Sequence, residues 1–483
     1  MAATKSKLRI LALDGGPSVF SYVKILQELE RSNPGFLSRI DMLAGPSNGG
    51  FAALWLAVHK DEWGPEDAEA TLKDLEKFLR EVIRSTKPEI LDWVRLFSGV
   101  GPMTGLSKTK TKLETVFKGQ TLKKIGESGV RILVPAYALI QQKAPETRML
   151  TSLTSPNIGD SGMDFLCDAE PWGENQNLEL SEVALRTASF PILHPITSYS
   201  VDGGVGAQNP SLPALAYALK QKNISGIEDV VILSLGSDFR RLNTRLKRTL
   251  KRATERNGGN DANLGWWFWL AQPYHIFLLL MMVIVDGATT ATNEVAKELM
   301  GSRYQRVAVP DMYWQFWYYI TGRIETLLMN AEEVVKRWSP GPTTPEWHLR
   351  KKGSAGDIFR KILEYIFVGL EERGRMERDI EPSFESLDAW VKKNWMNERG
   401  PESRHSGAKK TRKRSIAPKT NRAVTRRKVG VPMSSITKQR KRKLARTSDT
   451  TARRKPIAGV KANMIRKKAR KRIGTKATSM TEA

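Results

Sequence analysis

The sequence has a single cysteine, Cys167, among 483 residues. No intrachain disulfide can form, and a paired-cysteine metal or redox site is excluded. A lone cysteine of this kind is expected to be a small buried apolar residue. Histidine is scarce too: His59, His194, His275, His348 and His405 are scattered along the chain, and none sits in a setting typical of a catalytic base. His194, in "FPILHPI", is the least unsuitable of them. The basic N-terminal flank leads into an apolar run, Leu8 to Leu13, that is too short for a secretory signal, so the expectation is an intracellular protein and not a secreted one. Long hydrophobic runs are also rare. Only residues 265–285, "GWWFWLAQPYHIFLLLMMVIV", approach the roughly 20 residues a membrane span needs. Gln272, Pro273 and His275 fall near its middle and a helical pattern continues beyond it, which favours a buried core helix. Two alternatives stay open, a true span and an interfacial surface carried by Trp266, Trp267 and Trp269.

Acidic residues are nearly absent from one part of the chain. Pro401 to Ala483 holds 28 Lys and Arg against Glu402, Asp449 and Glu482, so most of the formal net charge of +27 lies there. The first 400 residues carry a net of only +2. From about residue 397 apolar periodicity stops, and a segment that cannot bury apolar surface is expected to be disordered.

What is present before that point is strand and helix in alternation. "KLRILALDGG" is a short apolar run closed by glycines, as expected of a buried parallel strand. "SYVKILQELERS" places Val23, Ile25, Leu26 and Leu29 at helical spacing. "RIDMLAG" and "NGGFAALWLAVHK" repeat the strand and helix, and further strands are expected at "GVRILVPAYAL" and "DVVILSLG". Residues 67–118 are mostly helical in pattern. This order predicts an α/β fold with a parallel sheet.

"GPSNGG", residues 45–50, lies between an expected strand and an expected helix. Gly-x-Ser-x-Gly in that context marks a sharp turn that exposes a serine hydroxyl, here Ser47, beside the positive end of a helix. Alone the motif is also compatible with an ordinary turn. The loop "LDGGPS" after the first strand offers backbone N–H groups at the same sheet edge, and consecutive glycines let a backbone face an anion closely. "YSVDGGVGAQNP" places Asp202 before two glycines, where it could act as a base or be a structural turn residue.

Taken together, "LALDGGPSVF", "AGPSNGG", "ALRTASFPILHPI" and "VDGGVGAQNP", in this order, resemble the patatin-like phospholipases over roughly residues 7–310. The resemblance implies a three-layer α/β/α sandwich around a mainly parallel sheet. It implies a Ser-Asp dyad without histidine: Ser47 as nucleophile, Asp202 as base, and the N–H groups of Gly15 and Gly16 as an oxyanion hole. The implied activity is hydrolysis of a lipid ester or phospholipid through an acyl-enzyme, with no metal or other cofactor. An aspartate near its ordinary pKa of about 4 is a weak base, so its effectiveness would have to come from a dry pocket.

Two departures from the family pattern are visible. Pro17 replaces the third glycine of the oxyanion loop and has no N–H, and Ser18, Val19 and Phe20 stand where a cation usually follows. Loss of one oxyanion donor costs about 3 kcal/mol of transition-state stabilisation, unless the N–H of Ser18 or Asn48 substitutes. The domain expectation is an acyl hydrolase domain at 1–310, a helical extension at 311–396 and the basic tail at 397–483. The alternative to an active enzyme is a catalytically impaired patatin-like pseudoenzyme whose tail binds nucleic acid or an anionic membrane. The tail clusters at 409–414, 426–428, 438–443 and 466–472 suit nuclear import, phosphate neutralisation or transient membrane-surface contact, and the tail has no aromatic residue for base stacking.

Overall fold

Every residue of strand β1 (Leu8–Leu13) is buried. Its side chains alternate strictly: Leu11 and Leu13 join one hydrophobic cluster, while Leu8, Ile10 and Ala12 join another. A continuous apolar run therefore reads as a strand covered on both faces. The structure is a computed structural model in which residues 7–87, 89, 92, 101–102, 104–139, 161–169, 175–191, 193–237, 278–309, 319, 323–339 and 380–397 are described. The expectations for residues 265–277 and for the basic tail from residue 398 onward lie outside the described residues.

In chain order β1 is followed by helix α1 (Val19–Ser32), β2 (Met42–Ala44), α2 (Ser47–Val58), α3 (Ala68–Ser85), α4 (Ser107–Val116) and α5 (Leu122–Glu127). Then come β3 (Arg131–Ala138), β4 (Gly162–Cys167), α6 (Leu180–Thr187), β5 (Ser200–Asp202), the single turn α7 (Gly204–Ala207) and α8 (Ser211–Leu219). The remaining elements are β6 (Val230–Ser237), α9 (Leu278–Met300), β7 (Tyr304–Val309), α10 (Ile324–Trp338) and α11 (Phe384–Trp390). Among the described residues no helix is long and apolar enough to cross a membrane.

The sheet order is β4-β3-β2-β1-β6-β7, with β5 also on β3. β3, β2, β1, β6 and β7 run parallel, whereas β4 and β5 pair antiparallel with β3. One sheet face packs on α1 to α4 and α6, with Phe20, Leu26, Leu54, Leu79 and Leu113 in the shared core. The other face packs on α8 and α9 through Leu215, Tyr217, Ala296 and Met300. This is the α/β/α sandwich, with Cys167 fully buried on β4 in the second core. Leu327 and Trp338 of α10, Leu387 of α11, and Trp395 just beyond it bury in the same cluster as Leu11 and Phe20. The loops after β1 and β2 open at the carboxyl ends of adjacent central strands, where parallel sheets place ligands.

Candidate active site

β2 ends where Ala44 pairs with Leu133, and the Gly45 N–H continues the ladder to the Leu133 carbonyl at 3.1 Å. Pro46 is extended (φ −87°, ψ 160°), and Ser47 then turns left-handed at φ +54° as the first residue of α2. A non-glycine residue in that region costs on the order of 1–3 kcal/mol, so the surrounding packing must impose it. The packing does so because α2 lies directly against the β1 loop. A Cβ on Gly49 would stand 2.5 Å from the Asp14 carbonyl oxygen. The proline tolerated at position 46 closes the helix instead, its carbonyl accepting the Gly50 N–H at 2.9 Å.

Asp202 reaches the same place from another direction. β4 occupies one flank of β3 along Leu133–Ala138, so β5 must lie on the flank that β2 leaves free beyond Leu133. Asp202, opposite Ala136, therefore stands just past the end of β2, beside the elbow. Its carboxyl is buried: Oδ1 accepts the Gly204 N–H at 2.7 Å, and Oδ2 has no hydrogen-bond partner within ordinary length. Burial pushes this carboxyl up to about 7, with the Ser47 side chain and the Gly204 N–H working against the rise. The Ser47–Asp202 approach is thus looser than an ordinary hydrogen bond.

α6 and the residues after it tie the two loops together. Thr187 Oγ1 accepts the Ser47 N–H at 2.8 Å and donates to the Pro135 carbonyl at 2.5 Å. The Thr187 carbonyl accepts the Gly203 N–H at 3.1 Å, and the Ser189 carbonyl accepts the Asp202 N–H at 3.0 Å. Arg186, buried, pairs with Glu182, which also accepts the Ser198 hydroxyl at 3.1 Å from the left-handed turn preceding β5.

Gly15 and Gly16 complete the arrangement. Gly16 adopts φ +97°, open to glycine at little cost. The Gly15 carbonyl accepts Gln208 Nε2 at 2.8 Å, and the Gly16 carbonyl accepts Asn48 Nδ2 at 3.1 Å. In a planar trans peptide the N–H opposes the carbonyl, so the Gly16 N–H is held pointing away from Gln208. Among the described residues the N–H groups of Gly15, Gly16 and Asn48 donate to no protein acceptor.

A backbone turn with free N–H groups, a strained serine and a buried carboxylate thus meet at one sheet edge. Residues 11–215 match the sequence pattern described as patatin-like phospholipase. The match covers 205 of the 483 residues, and over that segment the chain is similar to the patatin-like phospholipases. The chain is 26% identical over 314 residues to CotR of Bacillus subtilis, named as a candidate sporulation hydrolase, and 26% identical over 312 residues to the protein teg of Priestia megaterium. Each match covers 62% of this chain and 87% of the relative. Among solved structures, VipD of Legionella pneumophila matches at 11% identity and a TM-score of 0.28, covering 68% of this chain and 67% of VipD. ExoU of Pseudomonas aeruginosa, solved with SpcU, matches at 13% identity and a TM-score of 0.29, covering 68% of this chain and 53% of that one.

The patatin-like domain leaves the histidines aside. His194 is buried with Nδ1 2.8 Å from Thr104 Oγ1, and burial pushes its pKa down to about 4. His59 Nδ1 lies 2.8 Å from the Trp55 carbonyl oxygen. His275, His348 and His405 lie outside the described residues. Among the described residues no cluster of three His, Cys, Asp or Glu side chains is arranged to hold a metal ion. Sequence reasoning gave no role to the side chains of four residues found here. Thr187 and Gln208 lay inside quoted motifs, and Asn48 was weighed only for its N–H. Tyr319, beyond the patatin-like segment, had no motif to mark it. Its phenol is pushed up to about 12 by burial and by the negative charge of Asp202, with side-chain hydrogen bonds to Thr86 and Asn48 opposing the shift.

Proposed function

We propose that this chain is a metal-independent serine lipid acyl hydrolase, of esterase or phospholipase A type, acting through a Ser47–Asp202 dyad. The observation that carries the proposal is the placement of Asp202, a buried carboxyl raised to about 7, beside a serine held at φ +54° on a strand-to-helix turn. A base with that pKa is about half ionised at neutral pH and basic enough to take a proton in the transition state.

The Asp202 carboxylate takes the Ser47 hydroxyl proton as Oγ attacks the ester carbonyl carbon. The oxyanion that forms is met by the N–H groups of Gly15 and Gly16, and the Asn48 N–H supplies the donor that Pro17 lacks. Collapse breaks the acyl C–O bond, and the alcohol leaves with the proton from Asp202. Water then loses a proton to Asp202 and attacks the acyl-enzyme; its collapse releases the fatty acid and returns the proton to Ser47. The resting carboxylate is the same before and after one turnover.

Hydrolysis of a fluorogenic medium-chain ester and a mixed phospholipid panel tests this, comparing the native chain with Ser47→Ala and Asp202→Asn. Circular dichroism would check each fold. Loss of about 10³-fold or more in kcat in both folded variants is expected. Turnover that survives Ser47→Ala overturns the reading, and a native chain inert to every ester leaves the pseudoenzyme. For residues 401–483, net +25, we propose salt-sensitive association of an intracellular enzyme with anionic surfaces. Deleting them is expected to abolish that association and leave turnover of a soluble ester unchanged.

A further inference from the structure

Asp14, the residue between β1 and the two glycines, is fully buried and bonded through both carboxylate oxygens to Arg306 of β7. Arg306 Nη1 lies 2.7 Å from Oδ1 and Nη2 lies 2.6 Å from Oδ2, a bidentate pair in a site that leaves Arg306 11% exposed. One strand, β6, separates the partners in the sheet order: Ala12 is in register with Ser234 of β6, and Ser234 with Arg306. The guanidinium therefore crosses over β6 to reach the loop after β1. On the way Nη1 also donates to Ser234 Oγ at 2.7 Å.

β6 is built to let it pass. Gly236 lies two residues beyond Ser234, on the same sheet face. A Cβ there would stand 1.9 Å from Arg306 Nη2 and 2.1 Å from its Cζ. Only glycine leaves the trough in which the guanidinium lies. The far side is braced as well: Ser234 Oγ donates to Asn209 Oδ1 at 3.4 Å, Asn209 Nδ2 donates to the Tyr304 hydroxyl at 3.3 Å, and that hydroxyl donates to Asn293 Oδ1 at 3.2 Å. Burial works against the Arg306 charge, but the attraction and hydrogen bonds of Asp14 outweigh it and keep the guanidinium cationic.

Asp14 is also fixed through its backbone, its N–H donating to the Leu235 carbonyl at 2.9 Å. Its side chain, its N–H and the Gly15 carbonyl next to it are all held, so the Asp14–Gly15 and Gly15–Gly16 peptide planes have little freedom. No cation follows the glycines in this sequence, where Ser18, Val19 and Phe20 stand. The cation comes instead from a strand outside residues 11–215.

We infer that Arg306 is a positioning residue for ester hydrolysis: through Asp14, and in the trough over Gly236, it holds the Gly15–Gly16 backbone in the geometry that receives the oxyanion. The inference rests on the function proposed above. It also explains how a loop with proline at its third position keeps its donors aimed, since orientation that the loop sequence does not supply is imposed from β7.

The alternative is an ion pair that contributes only to stability, and the test must separate the two. In the full chain, Arg306→Gln, Arg306→Lys and the double variant Asp14→Asn/Arg306→Gln would be compared with wild type well below their melting temperatures. The double variant removes the unpaired buried charge that could unfold the single one. Two quantities are read: kcat and KM on a soluble ester, normalised to Ser47 sites titrated with a fluorophosphonate, and deuterium uptake across residues 13–22. Expected is a roughly 10- to 100-fold loss of kcat in Arg306→Gln and in the double variant, with KM within about threefold and part of the loss restored in Arg306→Lys. Deuterium uptake is expected to rise in the 13–22 peptide and not in peptides from β2 or α2. A double variant with native uptake and kcat within about threefold of wild type overturns the inference, whatever happens to its melting temperature. Should the native chain turn over no ester, the proposed function falls by that result alone, and the uptake comparison still decides whether Arg306 holds the loop.

Discussion

Thr187 bonds to both loops of the site: its hydroxyl accepts the Ser47 N–H at 2.8 Å, and its carbonyl accepts the Gly203 N–H at 3.1 Å. The first bond spans 140 residues of sequence. It also fixes the peptide that precedes a serine at φ +54°, where an unheld backbone would relax. The same hydroxyl donates to the Pro135 carbonyl, so its proton and its lone pair are both committed.

Thr187→Val keeps the shape and removes both bonds. It is expected to destabilise the fold by about 1–3 kcal/mol, because a buried N–H and a buried carbonyl lose their partner. It is also expected to lower kcat about tenfold or more through misplacement of Ser47. Thr187→Ser should restore most of both. Urea denaturation and ester kinetics on the same preparations check this.

The pH profile of turnover should follow Asp202. Its carboxyl is raised to about 7, and only the ionised form can take the Ser47 proton. kcat/KM is therefore expected to rise as pH increases through about 7 and then to level off. A profile flat from pH 5 to 8 would remove Asp202 as the base.

The same carboxyl links pH to stability with the opposite sign. A folded-state pKa raised from 3.8 to about 7 means that the folded protein holds a proton the unfolded chain has released. The associated stability is complete below the unfolded pKa and is lost as pH rises through about 7, amounting to about 4 kcal/mol. Asp202→Asn should therefore be more stable than wild type at pH 8, and the difference should disappear near pH 4. Paired thermal melts across that range measure it.

His194 acts in the other direction. Burial lowers its pKa from 6.5 to about 4, so the unfolded chain takes up a proton first. Its contribution is present above pH 6.5 and is lost as pH falls toward 4, by up to about 3 kcal/mol. In His194→Gln the loss of stability between pH 6.5 and 4 should be smaller than in wild type, measured by urea midpoints at each pH.

Four parallel strands were legible because each is a short apolar run buried in the sheet, and β1, β2, β3 and β6 all stand where those runs are. The turn at Ser47 was legible for a local reason, since glycines and a following helical pattern lie within a few residues of it. β4 and β5 were not legible. Gly162–Cys167 is half-buried for its first four residues, and Ser200–Asp202 is only three residues long. Neither carries a period of its own, and both exist because β3 offers free flanks.

Local order thus determined by itself the α/β alternation with its parallel sheet, the turn at Ser47 and the concentration of positive charge beyond residue 400. Tertiary structure alone decided what the polar groups do. Arg306 and Asp14 are 292 residues apart, and only the sheet order brings them together. The basicity of Asp202 comes from burial, which no neighbour in sequence supplies. Periodicity is a property of adjacent residues, whereas desolvation and hydrogen-bond partnership belong to whatever the folded chain packs alongside.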